Sequence, residues 1–456
     1  MKPKITKTGA NPVSRHSLMH RRQALKAAAA SLASGLTLPH VWARHGHVAP
    51  SKSIAHASFG GGGMAWSDID SLARTSGFQL VAVADVDKSR FEAVQKRFPG
   101  VRLYQDWREL LDKEKNLDSA NVSTPDHMHA PIAMRAMRQG VNIYGQKPLT
   151  QSIYEARQLT QVAASKKLVT QMGIQIHSHP VHRKVVAILH AGAIGKVKAV
   201  HSWSGKEWGD NDPLPDRKDP IPATLDWDGW LGVAKERPFL ANYYHPGNWR
   251  KRLDFGTGTF GDMGCHILDP VYESLGVDIP NLVVCEKGGT NQTSWGLHNQ
   301  VRFEFPGSAY TTETVSLTWY DGNLRPGKEV SSLLEGANLS DQGSIYIGTS
   351  GVLYSPYIDE PVLLPKEKFS NYKKPEVQGA DHYGQFLEAV RGNGKTTAPF
   401  SYAGPLTEMV LLGCLSTRFP GKALKWNKEE MKVTNLPEAN RFVRKEYRKG
   451  FEVEGL

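Results

Sequence analysis

The stretch SIAHASFGGGGMA, residues 53–65, joins an apolar run to four consecutive glycines and the start of a helix-like segment. This order predicts a strand that turns tightly at glycine and continues into a helix. It also fits the pattern G-x-G-x-x-A, in which Gly60 permits the turn and Gly62 lets backbone N–H groups approach a pyrophosphate. Ala65 allows the helix and the strand to pack closely. The residues that we expect to bind a dinucleotide here are Gly60, Gly62, Gly63 and Met64.

The second predicted strand, FQLVAVADVD (residues 78–87), ends in two acidic residues. An acid at this position accepts hydrogen bonds from the hydroxyl groups of an adenine ribose. Because it would repel a 2′-phosphate, Asp85 favours NAD over NADP as the cofactor. Two alternatives stay open: Asp87 could accept these hydrogen bonds instead, or Asp85 could be an ordinary turn residue.

Strand-like and helix-like stretches alternate over about 120 residues from residue 53 onward. Among them, residues 103–116 (LYQDWRELLDKEKN) have the pattern of a helix. The alternation predicts a parallel sheet with right-handed crossovers. Beyond residue 180, stretches such as AYTTETVSLTWY are typical of antiparallel strands. We therefore predict an α/β protein: an N-terminal Rossmann doubly wound parallel sheet plus a C-terminal α/β domain with an open, mostly antiparallel sheet.

The first 43 residues carry seven lysines and arginines and no acid. Arg21 and Arg22 precede a short Ala- and Leu-rich stretch that ends at the small residue Ala43, the layout of a twin-arginine export signal. The alternative is a disordered basic tail followed by an amphipathic helix. We expect residues 1–43 to be the signal, with cleavage after Ala43 and a periplasmic or secreted location.

The rest of the chain argues against several classes of function. Without the seven basic residues, the net charge of +11 falls to +4 (11 − 7), which does not indicate nucleic-acid binding. No apolar run is long enough to span a membrane. The three cysteines are too few for a disulfide framework and lack metal-ligand spacing.

Histidines cluster in IHSHPVH (residues 176–182) and DHMH (residues 126–129). The i, i+2, i+5 spacing of the first group fits no standard metal site, and no cysteine or acid completes the set. We therefore expect no bound metal. Since both segments follow predicted strands, some of these histidines are expected to face the cofactor. The cofactor-binding residues predicted in and before the second group are Ser123, Pro125 and His129.

Two further segments carry residues suited to hydride-transfer chemistry. Pro148 favours an extended preceding residue, which holds Lys147 at the sheet edge where ligands bind in doubly wound folds. An ammonium there can bind a substrate hydroxyl and stabilise the alkoxide that forms as hydride leaves. In GDMGCHILD (residues 261–269), Asp262 and His266 lie four residues apart on one helix face, so His266 is a candidate general base. Each residue has an alternative without a catalytic role. Lys147 could be an ordinary solvated lysine, Asp262 an N-terminal helix cap and His266 a core histidine.

The segment that follows residue 200 is rich in aromatic residues, which stack well on the apolar faces of pyranose rings. We expect part of it to bind a carbohydrate, with core packing or a subunit interface as the alternative. The residues concerned are Trp203, Trp208, Trp227, Trp230, Tyr243, Tyr244, His245, Trp249 and Arg250.

These motifs together resemble the Gfo/Idh/MocA family of sugar and polyol oxidoreductases, over nearly all of residues 50–453. The matching pieces include FGGGGMA, VAVADVD, STPDHMHAPIAMRAMRQG, GQKP and GDMGCHILDPVY. The C-terminal stretch, including HYGQFLEAVRGNGKTTAPFSYAGPLTEMVLLG, is similar to the exported bacterial branch. The resemblance implies an NAD(P)-binding domain over residues 50–175, a substrate and oligomerisation domain over residues 176–456, and an active site between them. By the same resemblance the catalytic residues are Lys147, Asp262 and His266.

The implied activity is NAD-dependent hydride transfer between a hydroxyl-bearing carbon of a sugar, glycoside or polyol and a tightly bound nicotinamide. A homo-oligomer through the C-terminal sheet is expected as well. Where the family usually has Glu-Lys-Pro, this chain has Gln146, so a carboxylate that would keep the ammonium of Lys147 protonated is replaced by an amide. Two other functions stay open: glycoside cleavage by transient oxidation and elimination, and non-catalytic binding of a sugar or nucleotide.

Overall fold

The computed structural model describes residues 53–456, and the predicted export signal, residues 1–43, lies outside them. Within this part of the chain, no helix is long and apolar enough to cross a lipid bilayer.

The first part is a six-stranded sheet in which every strand pairing is parallel, in the order β3-β2-β1-β4-β5-β6. Its strands are β1 (Ile54–Phe59), β2 (Phe78–Ala84), β3 (Arg102–Tyr104), β4 (Ser119–Val122), β5 (Asn142–Gly145) and β6 (Thr170–Met172). Its helices are α1 (Met64–Leu72), α2 (Phe91–Arg97), α3 (Trp107–Lys113), α4 (His129–Arg138) and α5 (Ile153–Lys166). Five of the six residues of β1 are buried, as expected for a strand covered by helices on both faces. The predicted doubly wound parallel sheet is confirmed.

The second part is a nine-stranded sheet in the order β13-β12-β11-β7-β10-β9-β8-β14-β15. Its strands are β7 (Val197–Ser204), β8 (Leu282–Lys287), β9 (Gln300–Pro306), β10 (Thr311–Asp321), β11 (Gln342–Gly348), β12 (Val352–Ser355), β13 (Val362–Leu364), β14 (Ala423–Asn427) and β15 (Lys432–Val433). Only β7 and β10 pair in parallel, so the predicted open, mostly antiparallel sheet is confirmed for the described residues.

Seven helices accompany this second sheet in the described part of the chain. They are α6 (Pro180–His190), α7 (Trp227–Leu231), α8 (Gly258–Ile267), α9 (Asp269–Leu275), α10 (Lys328–Ser331), α11 (Gly384–Val390) and α12 (Phe400–Ser416). Nearly every residue of α12 is buried, and this helix contacts both α5 of the first part and α8 of the second. One hydrophobic core therefore extends from Phe59 on β1 to Trp319 on β10. The shared core holds α8 in place against the parallel sheet.

Candidate active site

The glycine turn after β1 has the geometry of a phosphate-binding loop. Gly60 has a φ of +109°, a conformation that residues with a side chain rarely adopt. A Cβ atom at Gly60 would lie 2.8 Å from the Cβ of Ala65 and 2.9 Å from the carbonyl oxygen of Ser123. Helix α1 starts after Gly63, and no side chain within residues 53–456 caps its first N–H groups. Apart from the N–H of Ala65, which donates to the carbonyl oxygen of Gly62 at 3.1 Å, these groups can bind an anion such as a pyrophosphate.

Asp85 lies directly after β2 and fastens this loop. Its Oδ2 accepts a hydrogen bond from the N–H of Gly61 at 2.8 Å, and its Oδ1 accepts one from the N–H of Asp87 at 2.9 Å. Burial raises the pKa of Asp85, and the two N–H groups oppose this shift.

Asp87, the second acid after β2, has a different environment from Asp85. Asp87 accepts the N–H of Ser89 at 3.0 Å, which caps a short 3₁₀ turn, and lies 3.3 Å from Nε2 of His245. Of the two acids considered for the ribose, Asp85 is the one on the wall of the adjacent cleft.

This cleft has a volume of about 320 Å³ and runs along the carboxyl ends of β1, β2 and β4. The predicted cofactor-binding residues on its wall are Gly60, Gly62, Gly63, Met64, Asp85, Ser123 and Pro125. The sequence also predicts His129 and the proposed catalytic residue Lys147 to bind the cofactor, but both lie outside this wall. A cleft at this edge of a doubly wound sheet is where ligands bind in such folds.

His129 instead holds two strand ends together. Its Nδ1 lies 2.8 Å from the carbonyl oxygen of Pro148, and its Nε2 lies 2.8 Å from that of Thr124. Both ring nitrogens are thus occupied by backbone oxygens. Its ring links the loop after β4 to the loop after β5, and a contact between His129 and the cofactor stays a prediction.

Arg90 also lines the cleft, although no sequence motif singles it out. Its Cδ lies 2.7 Å from the position that a Cβ of Gly62 would occupy, so its side chain covers the glycine turn. A guanidinium in this region can accommodate a 2′-phosphate, whereas an acid at the end of β2 repels it. Arg90 and Asp85 therefore act in opposite directions on the choice between NAD and NADP.

The structure brings Lys147, from the end of β5, into contact with Asp262 of α8. The Nζ of Lys147 donates to Oδ1 of Asp262 at 2.6 Å and to its carbonyl oxygen at 3.1 Å. The Nε of Arg250 lies 3.5 Å from the same Oδ1. Burial would raise the pKa of Asp262, but the charges of Lys147 and Arg250 lower it to about 2. Asp262 is thus a carboxylate between two cations.

His266 lies one helical turn after Asp262 on α8. Its Nδ1 is buried and has no hydrogen-bond partner among the described residues. Burial and the nearby charge of Lys147 lower the pKa of His266 to about 3, so the imidazole is neutral near pH 7. A neutral imidazole with a free nitrogen can accept a proton.

Gln146, the departure from the family pattern, pairs with a carboxylate on α1. Its Nε2 donates to both oxygens of Asp68, at 3.0 and 2.9 Å. Asp68 also accepts hydrogen bonds from Ser123 at 2.7 Å and from Tyr383 at 3.0 Å. Burial raises the pKa of Asp68 to about 6, against these hydrogen bonds. A glutamate at position 146 would face this carboxylate, so an amide fits here.

Most of the aromatic segment is core. Trp203 is fully buried in the second sheet, where its ring stacks on Tyr354. A second cluster packs around Phe255, and its members from the predicted set are Trp227, Trp230, Tyr243, Tyr244 and Trp249. Core packing, the alternative considered for these residues, therefore describes the majority of them.

A few members of this segment also reach the cleft. Trp230, His245, Trp249 and Arg250 are on its wall. The guanidinium of Arg250 lies 4.3 Å from the ring centre of Trp249 and 5.5 Å from that of Trp208. Since Arg250 also approaches Asp262, it connects the cleft to the pair formed by Lys147 and Asp262.

The histidines of IHSHPVH have acidic neighbours that their own sequence segment does not contain. The ligand atoms of His177, His182 and Glu273 all lie within 4.8 Å of one another, and Asp269 lies between the two histidines. The expectation that no acid completes this set is wrong, because α9 brings both carboxylates to the histidines.

Comparison with known proteins agrees with this architecture. Residues 55–174 match the profile described as "Oxidoreductase family, NAD-binding Rossmann fold", and residues 180–453 match "Oxidoreductase family, C-terminal alpha/beta domain". Inositol 2-dehydrogenase of Rubrobacter xylanophilus is 30% identical over 156 residues, which are 34% of this chain and 44% of that protein. The matched region thus spans less than half the length of this curated relative.

Solved structures share the fold at low sequence identity. An inositol dehydrogenase homolog from Azotobacter vinelandii, complexed with NADH and myo-inositol, is 16% identical with a TM-score of 0.56, covering 82% of this chain and 98% of that one. The WlbA dehydrogenase from Bordetella pertussis, in complex with NADH and UDP-GlcNAcA, is 14% identical with a TM-score of 0.59 and the same coverage. At these identities the likeness shows the fold.

Proposed function

This chain belongs to the Gfo/Idh/MocA oxidoreductase family, and from that premise we propose that it transfers hydride between a carbohydrate and a bound nicotinamide. The substrate is a sugar, glycoside or polyol with a hydroxyl group on the reacting carbon. The observation that carries the proposal is the 2.6 Å contact between Lys147 and Asp262, one turn from the neutral His266.

The residues around the cleft fit a dinucleotide. A side chain at Gly60 would fill the space beside Ser123, and the first N–H groups of α1 are uncapped by any side chain in the described region. In the proposed complex these groups bind the pyrophosphate, and Asp85 accepts hydrogen bonds from the adenine ribose. We favour NAD because Asp85, at the end of β2, would repel a 2′-phosphate.

The three polar residues divide the chemistry of the hydroxyl group. When bound, the nicotinamide supplies the hydride acceptor or donor. Lys147 donates a hydrogen bond to the substrate oxygen and stabilises the alkoxide that develops there. His266 accepts the hydroxyl proton, since its imidazole is neutral. Asp262, held as a carboxylate by Lys147 and Arg250, keeps the ammonium aimed at the reacting carbon's oxygen.

Export and assembly complete the proposal. We propose that residues 1–43 direct twin-arginine export, which moves folded proteins, to the periplasm or beyond. Because free NAD is scarce there, the cofactor is held tightly and recycled in place. Two or more copies associate through the nine-stranded sheet, whose outer residues include the half-exposed Arg302 and Glu304.

Native mass spectrometry of the purified full chain tests the proposal. The expected result is one NAD per protomer, followed by a change at the reduced-nicotinamide absorbance band with at least one sugar, glycoside or polyol. Purified protein without nucleotide and with only weak affinity for NAD would contradict it. Release of an aglycone without net NADH would instead identify glycoside cleavage. Bound NAD that no sugar, glycoside or polyol reduces, in wild type as in Lys147→Ala and His266→Ala, would identify a binding protein.

A further inference from the structure

Four titratable side chains meet where α6 and α9 pack together, and they form what we call the histidine–carboxylate cluster: His177, His182, Asp269 and Glu273. Oδ2 of Asp269 lies 2.9 Å from Nδ1 of His177 and 3.2 Å from Nε2 of His182. Oε2 of Glu273 lies 3.8 Å from the same Nδ1. Two imidazoles and two carboxylates thus face one another across a short gap.

These separations match the edges of a metal-coordination polyhedron. Zinc–nitrogen and zinc–oxygen bonds are ~2.0–2.2 Å long, which places neighbouring ligand atoms of a tetrahedral ion roughly 3.4 Å apart. The three measured separations, 2.9, 3.2 and 3.8 Å, bracket that value. The ligand atoms of His177, His182 and Glu273 lie within 4.8 Å of one another, so these side chains would draw closer around a bound ion.

The state of His182 points to a ligand that the protein atoms do not supply. This residue is 2% exposed, and its Nε2 forms no hydrogen bond with any group in residues 53–456. Its approach to Asp269 is close, but the ring is not oriented to donate. Imidazole nitrogens are the commonest metal ligands in proteins. The Nε2 of His182 is therefore a buried nitrogen that lies beside Asp269 without a hydrogen-bond partner in the described residues.

A purely internal charge network explains only part of this arrangement. Burial would lower the pKa of His177, but Asp269 and Glu273 raise it to about 9, so a protonated His177 satisfies both carboxylates. The hydroxyl of Tyr402 donates to Asp269 as well. Neither interaction gives a partner to Nε2 of His182. The network thus accounts for His177 and the two carboxylates but not for His182.

We propose that the histidine–carboxylate cluster binds one divalent transition-metal ion of the zinc class. Two imidazole nitrogens with carboxylate oxygens are a donor set that such ions prefer. Glu273, the one half-exposed member, gives the ion a path of entry.

The site would lie next to the proposed active site without forming part of it. Asp269 begins α9, three residues after His266, and the charges of both Asp269 and His182 act on the pKa of His266. The proposal does not depend on hydride transfer, because its readout is the bound metal.

Calorimetric titration of the chelator-treated full chain with Zn²⁺ tests the inference, with Co²⁺ as a spectroscopic probe. We expect one ion per protomer and the visible d–d absorption of four-coordinate Co²⁺. Glu273→Gln and His182→Asn should each weaken binding by about 10-fold or more. Glu273 lies at the rim, so Glu273→Gln keeps the test valid if His182→Asn does not fold.

His190→Asn is the matched control, because His190 lies on the same helix, is exposed and stacks on Tyr310 at 4.2 Å. It should bind Zn²⁺ as wild type does. The proposal is overturned if wild type binds no stoichiometric Zn²⁺ or Co²⁺, or if binding is equally strong in Glu273→Gln and His190→Asn. Failure of hydride transfer would leave this result unaffected.

Discussion

At the scale of single residues, the pairing of Gln146 with Asp68 is the most informative departure from the family pattern. The amide of Gln146 donates to both oxygens of a carboxylate on α1. The sequence shows that position 146 is an amide but not that this amide pairs with Asp68. Their contact joins residues 78 positions apart, which no local pattern encodes.

Gln146→Glu should therefore destabilise the protein, because two buried carboxylates would face each other. We expect a loss of about 1–3 kcal/mol in the free energy of unfolding at pH 7, measured by denaturant titration. The double variant Gln146→Glu with Asp68→Asn exchanges the amide and the acid and should recover most of the loss. Additive losses in the double variant would contradict a direct pairing.

The ionisation of Asp68 should be visible in the pH dependence of stability. Its pKa is raised from 3.8 to about 6, so wild type loses the associated stability as the pH rises from about 4 to 6. Asp68→Asn lacks this loss. Relative to wild type, the variant should gain about 2–3 kcal/mol over that interval. Parallel stability curves for the two proteins would show that the pKa is not raised.

At the scale of elements, the sequence predicts best those features whose residues all lie in one continuous stretch of the chain. The glycine turn with α1, the acid after β2 and the pair on α8 are of this kind. Residues 103–116 are a counterexample, since the predicted helix is β3 followed by α3. The histidine–carboxylate cluster could not be predicted, because it depends on the packing of α6 against α9.

The link between β2 and the glycine turn gives a test at this scale. Asp85→Ala removes the acceptor for the N–H of Gly61 and the proposed partner of the ribose. We expect NAD binding to weaken by about 10–100-fold, measured by calorimetry on protein freed of nucleotide. Asp87→Ala removes an acid two residues away that lies off the cleft wall, and its effect on NAD affinity should be small. Equal losses in the two variants would reject the assignment of Asp85.

At the scale of the whole molecule, the cleft is closed by a segment that follows β7 in the chain and returns to the parallel sheet. The N–H of Lys88 donates to the carbonyl oxygen of Thr224 at 2.9 Å, and the N–H of Asp226 donates to that of Val86 at 2.9 Å. These contacts carry the aromatic segment onto the cleft. Composition marks this segment as unusual, but only the fold separates its few cleft residues from the core.

Two stacked tryptophans allow the contributions of the core and of the cleft wall to be measured separately. The rings of Trp227 and Trp230 lie 4.8 Å apart, and only Trp230 of this pair is on the cleft wall. Trp227→Leu and Trp230→Leu should each destabilise the protein by about 2–4 kcal/mol, since both are buried. Only Trp230→Leu should also weaken NAD binding. Equal NAD affinity in the two variants would show that the cofactor does not reach this wall.

The rate of nicotinamide reduction in a single turnover, with NAD bound, tests the central claim most directly. Wild type is compared with Lys147→Met and with Lys166→Met, an exposed lysine on α5, at a saturating concentration of an accepted sugar or polyol. We predict that Lys147→Met retains bound NAD but is slower by about 10²–10⁴-fold, while Lys166→Met matches wild type. A Lys147→Met variant that reduces its nicotinamide at the wild-type rate would contradict the proposed active site.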